Sequence, residues 1–231
     1  MDSRNISSPE LRKVFENDTH FRVAVFGSAR IDETDPVYEE VKFFSQGLAL
    51  RGCDIITGGG PGLMQAANEG FKSAQVTHDK NLSVGLTITL PFEEFPNKHL
   101  DIKEQFDQFS DRLDGFMDIS HMAVVMHGGV GTLLELYYTW QVVQVRKGCT
   151  MPIVLVGEMW EGLVQWMKDD VWGRGFMSQD DFQHVFLVPH AAQALELVDA
   201  AFEAYKKDPG GYCMDAKKFS VLKDLHDNKD E

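Results

Sequence analysis

Two glycine-rich segments of this chain have the spacing of loops that bind phosphate. The residues concerned are Gly58, Gly59, Gly60, Gly62 and Met64 in the first loop, and Gly128, Gly129, Gly131 and Thr132 in the second. Each loop follows a short apolar run and precedes a segment with helical periodicity. Backbone N–H groups at such a turn converge on an anion, and glycine allows a phosphate to approach closely. Two loops of this kind in one chain indicate a nucleotide ligand.

A carboxylate, Glu135, follows the second loop three residues after Thr132. A negative charge opposes phosphate binding, so Glu135 indicates chemistry beside the phosphate. The same spacing also fits a capping box, in which Glu135 would accept a hydrogen bond from a backbone N–H at the start of the helix. The pattern alone leaves both interpretations open.

Two familiar nucleotide motifs are missing from the sequence. Neither loop continues into Gly-Lys-Ser/Thr, so hydrolysis of a nucleoside triphosphate is disfavoured. No Gly-x-Gly-x-x-Gly follows the first predicted strand, which weakens the alternative of a dehydrogenase-like dinucleotide protein.

The composition fits one globular domain over residues 1–231, with 43% hydrophobic and 25% charged side chains. The net charge of −14 repels nucleic acid polymers and anionic membranes, so neither is an expected partner. The 3 cysteines lack metal-binding spacing, and we expect no metal site and a reducing, cytoplasmic location. No apolar stretch is long enough to span a bilayer, and the first residues contain no apolar leader core.

Short apolar runs alternate with helical segments along the chain. Strands are predicted at residues 22–27, 54–57, 82–90, 122–126, 152–156 and 185–188, and residues 102–109 are ambiguous. Helices are predicted to begin near residues 9, 36, 63, 111, 132, 160 and 190, and residues 208–231 form a polar tail. This alternation predicts a doubly wound α/β fold of the Rossmann type, with a mostly parallel sheet and helices on both faces. Both glycine loops then lie at the carboxyl ends of strands, where such folds bind ligands.

Around these loops the chain resembles the LOG (Lonely Guy) family, Rossmann-like nucleotide-binding proteins that are often labelled lysine decarboxylases. The resemblance covers about residues 22–166. It rests on blocks that stand in the family's order, at residues 26–30, 35–36, 58–70, 90–92 and 128–135. The family signature PGGxGTxxE with an upstream arginine aligns with Glu135 and Arg112.

The resemblance implies a phosphoribohydrolase, an enzyme that cleaves the N-glycosidic bond of a nucleoside 5′-monophosphate such as AMP or a cytokinin nucleotide. Glu135 would be the catalytic carboxylate that stabilises positive charge on the ribose. Arg112 would orient Glu135 or contact phosphate or ribose oxygens, whereas composition alone favours an ordinary exposed arginine.

The resemblance also assigns the remaining parts of the site. The two glycine loops, with Thr132, would hold the 5′-phosphate, and Ser28 and Arg30 at the end of the first strand would line the nucleotide pocket. The resemblance also implies that the protein is a homodimer and that it uses neither a metal nor an organic cofactor.

Two positions depart from the family pattern: His127 replaces the proline before the glycine pair, and Leu113 replaces the lysine that commonly follows the arginine. His127 is placed to contact phosphate, to tune Glu135, or to be a satisfied histidine at a strand end. A nonhydrolytic nucleotide-binding or carrier protein stays as the alternative function. Decarboxylation is disfavoured because no lysine stands in a motif that marks it for a Schiff base with pyridoxal phosphate.

Overall fold

A computed structural model of the chain describes residues 8–15, 20–75, 81–89, 96–145, 151–209 and 219–221. Its strands are β1 (Arg22–Phe26), β2 (Asp54–Thr57), β3 (Ser83–Ile88), β4 (Ile102–Phe106), β5 (Met122–Val125), β6 (Ile153–Val156) and β7 (Val185–Val188). The helices are α1 (Pro9–Phe15), α2 (Pro36–Leu50), α3 (Leu63–Ala74), α4 (Phe109–Ile119), α5 (Val130–Val145), α6 (Glu161–Trp166) and α7 (Ala191–Lys207). Helix α6 follows a 3-10 turn at Glu158–Trp160 and continues as a π-helical segment, Met167–Trp172, and a second 3-10 turn covers Gln179–Phe182.

The strands form one seven-stranded sheet in the order β4-β3-β2-β1-β5-β6-β7, and every pair of neighbouring strands is parallel. All residues of β1, β2, β5 and β6 are buried. Continuous apolar strands of this kind are typical of a parallel sheet that is covered on both faces.

The two faces of the sheet carry separate core layers, because alternate residues of a strand point to opposite sides. On one side Val23 and Val25 of β1 pack among buried side chains of α2, α3 and α7. On the other side Ala24 and Phe26 pack with buried side chains of α1, α4, α5 and α6. The predicted doubly wound α/β fold is confirmed.

The ambiguous segment at residues 102–109 becomes the edge strand β4 and the first residue of α4. Exposed and partly buried residues alternate along β4, which matches an edge strand with one face to solvent. Its polar residues give a weak strand signal, and its pairing with β3 makes it a strand. The predicted strand at 82–90 is observed as β3, with Leu90 outside the described residues.

The strand order reverses at β1, because β2 lies on one side of β1 and β5 lies on the other. Loops that follow β1 and β5 therefore diverge and leave a crevice at the carboxyl ends of the strands. The first glycine loop packs against the turn after β1, where Leu63 N–H donates to the Ser28 carbonyl at 2.9 Å. Gly62 makes this contact possible, because its φ is +64° and a Cβ there would overlap the Ser28 carbonyl. None of the described helices combines the length and apolar character needed to cross a membrane.

Candidate active site

A cavity of about 380 Å³ opens at the carboxyl ends of β1, β2, β3 and β5, a volume in the range of small-molecule sites. Most of the sequence-predicted site residues line it, namely Ser28, Arg30, Gly58, Gly59, Gly60, Met64, Arg112, Gly129, Gly131, Thr132 and Glu135. The tertiary structure therefore brings both glycine loops to one place.

Arg112 of α4 and Glu135 of α5 form a buried ion pair in the cavity wall. The Nη2 atom of Arg112 donates to Oε1 of Glu135 at 3.3 Å, and each residue is only 8% exposed. Arg112 Nε also donates to the Leu86 carbonyl at 2.7 Å, and the guanidinium lies 5.3 Å from the ring centroid of Phe116. Arg112 is thus held on three sides, which overturns the interpretation from composition alone as an ordinary exposed arginine.

Glu135 does not take part in a capping box. Helix α5 begins at Val130, so Thr132 lies inside the first turn and Glu135 lies deeper in the helix. Burial raises the pKa of Glu135 to about 7, and the positive charge of Arg112 opposes that rise. Burial also lowers the pKa of Arg112, again opposed by its partner. The pair therefore places a carboxylate with a near-neutral pKa at the wall of the cavity.

A chain of hydrogen bonds fixes the first glycine loop. The side chain of Asn97 donates to the Gly60 carbonyl at 3.0 Å, and its backbone N–H donates to the Gly59 carbonyl at 2.9 Å. Gly59 N–H donates to the hydroxyl of Thr57 at 2.9 Å. The sequence carries no local signal for these contacts, because they join residues far apart in the chain.

The glycines of the two loops serve different purposes. A Cβ on Gly58 would overlap Nη2 of Arg112, and one on Gly128 would overlap the hydroxyl of Thr132. Gly129 and Gly131 have no heavy atom within 4 Å of the position a Cβ would take, and both line the cavity. Packing does not require glycine at these two positions, so they keep the space before the N-terminus of α5 open. A helix N-terminus offers free backbone N–H groups to an anion.

Three sequence-predicted residues are outside the cavity lining: Gly62, Gly128 and His127. The ring of His127 lies against Gly157, where an added Cβ would be 2.5 Å from Cε1 of the imidazole. The carbonyl of His127 accepts from Ser28 N–H at 3.0 Å and so ties the turn after β1 to the second loop. Leu113, at the other departure from the family pattern, is buried and also outside the lining.

Several lining residues are not among the site residues predicted from the sequence. These are Gly27, Ala29, Thr87, Ile88, Pro96, Phe109 and Val130. They come from the ends of β1 and β3, from the segment before β4 and from the starts of α4 and α5, and only the fold brings them together. Among the residues that the structure describes, no three of His, Cys, Asp and Glu cluster as metal ligands would.

A family model described as possible lysine decarboxylase matches residues 64–198, more than half of the chain. The chain belongs to this family. The resemblance to LOG proteins that the sequence shows is therefore confirmed.

A curated relative of this family member is the pyrimidine/purine nucleotide 5′-monophosphate nucleosidase of Escherichia coli strain K12. The two are 29% identical over 140 residues, which is 58% of this chain and 30% of the relative. The chain thus matches less than a third of the relative's length.

Solved structures of similar fold include the molybdenum cofactor binding protein of Rippkaea orientalis, with a TM-score of 0.58 and 18% identity over 79% of this chain and 98% of that one. The molybdenum cofactor carrier protein of Chlamydomonas reinhardtii has a TM-score of 0.57 and 18% identity, over 80% and 99% of the two chains. At this identity the likeness concerns the fold.

Proposed function

We propose that this protein hydrolyses the N-glycosidic bond of a nucleoside 5′-monophosphate and releases the free base and ribose 5-phosphate. The observation that carries the proposal is the buried Arg112–Glu135 pair in the wall of a cavity lined by two glycine loops. A phosphate-binding site alone does not require a buried carboxylate, but cleavage of a glycosidic bond does use one.

The 5′-phosphate would bind at the second loop and the start of α5. Gly129 and Gly131 leave room for it there, and Thr132 lines the same cavity. Ser28 and Arg30, in the turn after β1, line the same cavity, and Arg30 adds a positive charge. The chain's net charge of −14 repels an anionic substrate. These local groups would therefore have to hold the phosphate.

Glu135 would act on the ribose. As the bond between C1′ and the base nitrogen breaks, positive charge develops on the ribose ring, and a nearby carboxylate stabilises it. Water then forms a bond to C1′ through its oxygen, one proton leaves through Glu135 or solvent, and the base nitrogen takes up a proton. Arg112 would hold Glu135 in place, because the guanidinium is itself fixed by Leu86 and Phe116. Its positive charge would also favour the charged form of Glu135.

The comparison with known enzymes supports this proposal at the level of the reaction. The Escherichia coli relative is named for hydrolysis of pyrimidine and purine nucleotide 5′-monophosphates. We propose AMP or a cytokinin-type purine nucleotide as the first substrates to try. The decarboxylase description receives no support from the cavity, since none of the described residues that line it is a lysine.

The alternative is a nonhydrolytic nucleotide-binding or carrier protein of the same fold. Two structural neighbours are named as molybdenum cofactor binding or carrier proteins, and their likeness to this chain is one of fold. Both functions predict a bound nucleotide, and only the enzyme requires the carboxylate of Glu135.

We also propose that the protein is a homodimer. We propose a location in the reducing cytoplasm as well, in line with the odd number of cysteines. The outer face of α5 supports the dimer, because Leu134, Tyr137 and Val145 recur at helical spacing and remain at least 36% exposed. A second copy of the chain would cover this apolar stripe.

The test is chromatographic detection of free base and ribose 5-phosphate after incubation with AMP, GMP, CMP, UMP and isopentenyl-AMP, together with calorimetric binding of each nucleotide. Glu135→Gln keeps the shape of the side chain without its charge, and Glu161→Gln, at an exposed position outside the cavity, is the matched control. We expect base release by the parent and by the control, and binding without release in Glu135→Gln. Binding without release by the parent would favour the carrier.

A further inference from the structure

Phe109 is the first residue of α4 and lies three positions before Arg112, so both side chains project from the same face of the helix. Phe116, four positions after Arg112, is fully buried beneath the guanidinium. Phe109 lines the cavity and remains 51% exposed. One helix face therefore runs from a buried ring, through the ion pair, to a ring that is open to the cavity.

Two apolar residues, Ile88 and Pro96, line the same cavity as Phe109. Ile88 ends β3 two residues after Leu86, whose carbonyl accepts the hydrogen bond from Arg112, and it pairs in register with Phe106 of β4. Phe109 is the only aromatic residue among the described residues that line the cavity. This part of the wall differs in chemistry from the glycine loops and the polar end of β1.

The reaction fixes where the leaving base must lie. The bond that breaks joins C1′ of the ribose to the base. The base therefore lies one bond away from the carbon beside which Glu135 would act. The 5′-phosphate is attached at the other end of the ribose and would bind at the second glycine loop and the start of α5. The apolar wall next to Arg112 is the part of the cavity that suits a flat, aromatic group.

We propose that Phe109 stacks on the base of the bound nucleotide and so sets the affinity of the site for the base, an inference that rests on the proposed function. Aromatic side chains bind nucleobases through their faces, and this contact tolerates any base because every base has a π-face. A purine presents two fused rings and overlaps more of a phenyl ring than a pyrimidine does. The contact therefore favours purine nucleotides.

The test uses the full chain with Phe109→Ala, Phe109→Tyr and the control Phe43→Ala. Phe43 lies on α2 outside the cavity and is 53% exposed, almost the same as Phe109. Steady-state kinetics give KM and kcat for AMP and CMP, and calorimetry gives Kd for AMP and for ribose 5-phosphate, which has no base.

We expect Phe109→Ala to raise KM and Kd for AMP about tenfold, with a smaller effect for CMP. The affinity for ribose 5-phosphate and the value of kcat should stay close to those of the parent. Phe109→Tyr should restore AMP binding, and Phe43→Ala should behave as the parent does.

An unchanged KM for AMP in Phe109→Ala, or an equal loss of affinity for ribose 5-phosphate, would overturn the inference while the parent still releases base. A parent that binds AMP without hydrolysing it would overturn the proposed function, and the two Kd values would still decide the role of Phe109. A parent that does not bind AMP would overturn both.

Discussion

Gly58 lies so close to Arg112 that no side chain fits between them. A Cβ at residue 58 would overlap Nη2, the same guanidinium nitrogen that donates to Glu135. The first glycine loop thus determines the position of the ion pair as well as the shape of the cavity. Because α4 and the loop after β2 are far apart in the chain, this requirement is visible only in the folded molecule.

We predict that Gly58→Ala lowers kcat by about 10²-fold, since the guanidinium must move away from Glu135 and small misplacements of catalytic groups have effects of that size. The control is Gly162→Ala on α6, where an added methyl group meets no atom within 4 Å. Both proteins should remain folded by circular dichroism. A Gly58→Ala enzyme with parental kcat would show that the position of Arg112 is not important for turnover.

The opposite result is expected for Gly131→Ala. A methyl group here contacts no protein atom within 4 Å, and alanine in a helix is more stable than glycine by up to about 1 kcal/mol. The same methyl group occupies the space proposed for phosphate, so Kd for ribose 5-phosphate should rise. Thermal unfolding and calorimetry measure the two effects, and a stabilised variant with unchanged affinity would place the phosphate elsewhere.

Glu135 should make the stability of the protein depend on pH. Burial raises its pKa from 4.5 to about 7, so the folded protein holds this proton more tightly than the unfolded chain does. The resulting stabilisation is complete below the unfolded pKa and is lost as the pH rises through about 7. Glu135→Gln removes the titration and keeps a neutral side chain of the same shape.

The free energy of unfolding of Glu135→Gln relative to the parent should therefore increase with pH, by up to about 3 kcal/mol between mildly acidic and mildly alkaline buffer. Urea unfolding of both proteins across that range measures the difference, in which the titration of all other groups largely cancels. A difference that stays flat with pH would mean that Glu135 keeps an ordinary pKa in the folded protein.

The apolar stripe on α5 predicts the effect of a charge on association. Leu134→Lys places a charge at a position that is 45% exposed in the single chain, so folding should be little affected. Burial of that charge in an interface would be costly, and the dimer should dissociate. Light scattering coupled to size exclusion measures the mass, with Trp166→Lys, at another exposed apolar residue outside α5, as the comparison. A parent that is monomeric would remove the proposal of a homodimer.

The sequence by itself determined the alternation of strands and helices, both glycine loops and the position of Glu135 at the second loop. These features are local, because a buried strand, a helix start and a glycine turn each have their own pattern within a few residues. The resemblance added Arg112, which has no local pattern of its own.

The tertiary structure alone decided how these parts meet. Two helices bring Arg112 and Glu135 to 3.3 Å, and the first helical turn of α5 leaves Glu135 free of any capping role. The structure also made residues 102–106 an edge strand, pointed His127 at Gly157 and placed Phe109 at the cavity. Each of these outcomes depends on contacts between residues that are distant in the chain, and the periodicity of a single segment contains no information about its neighbours in space.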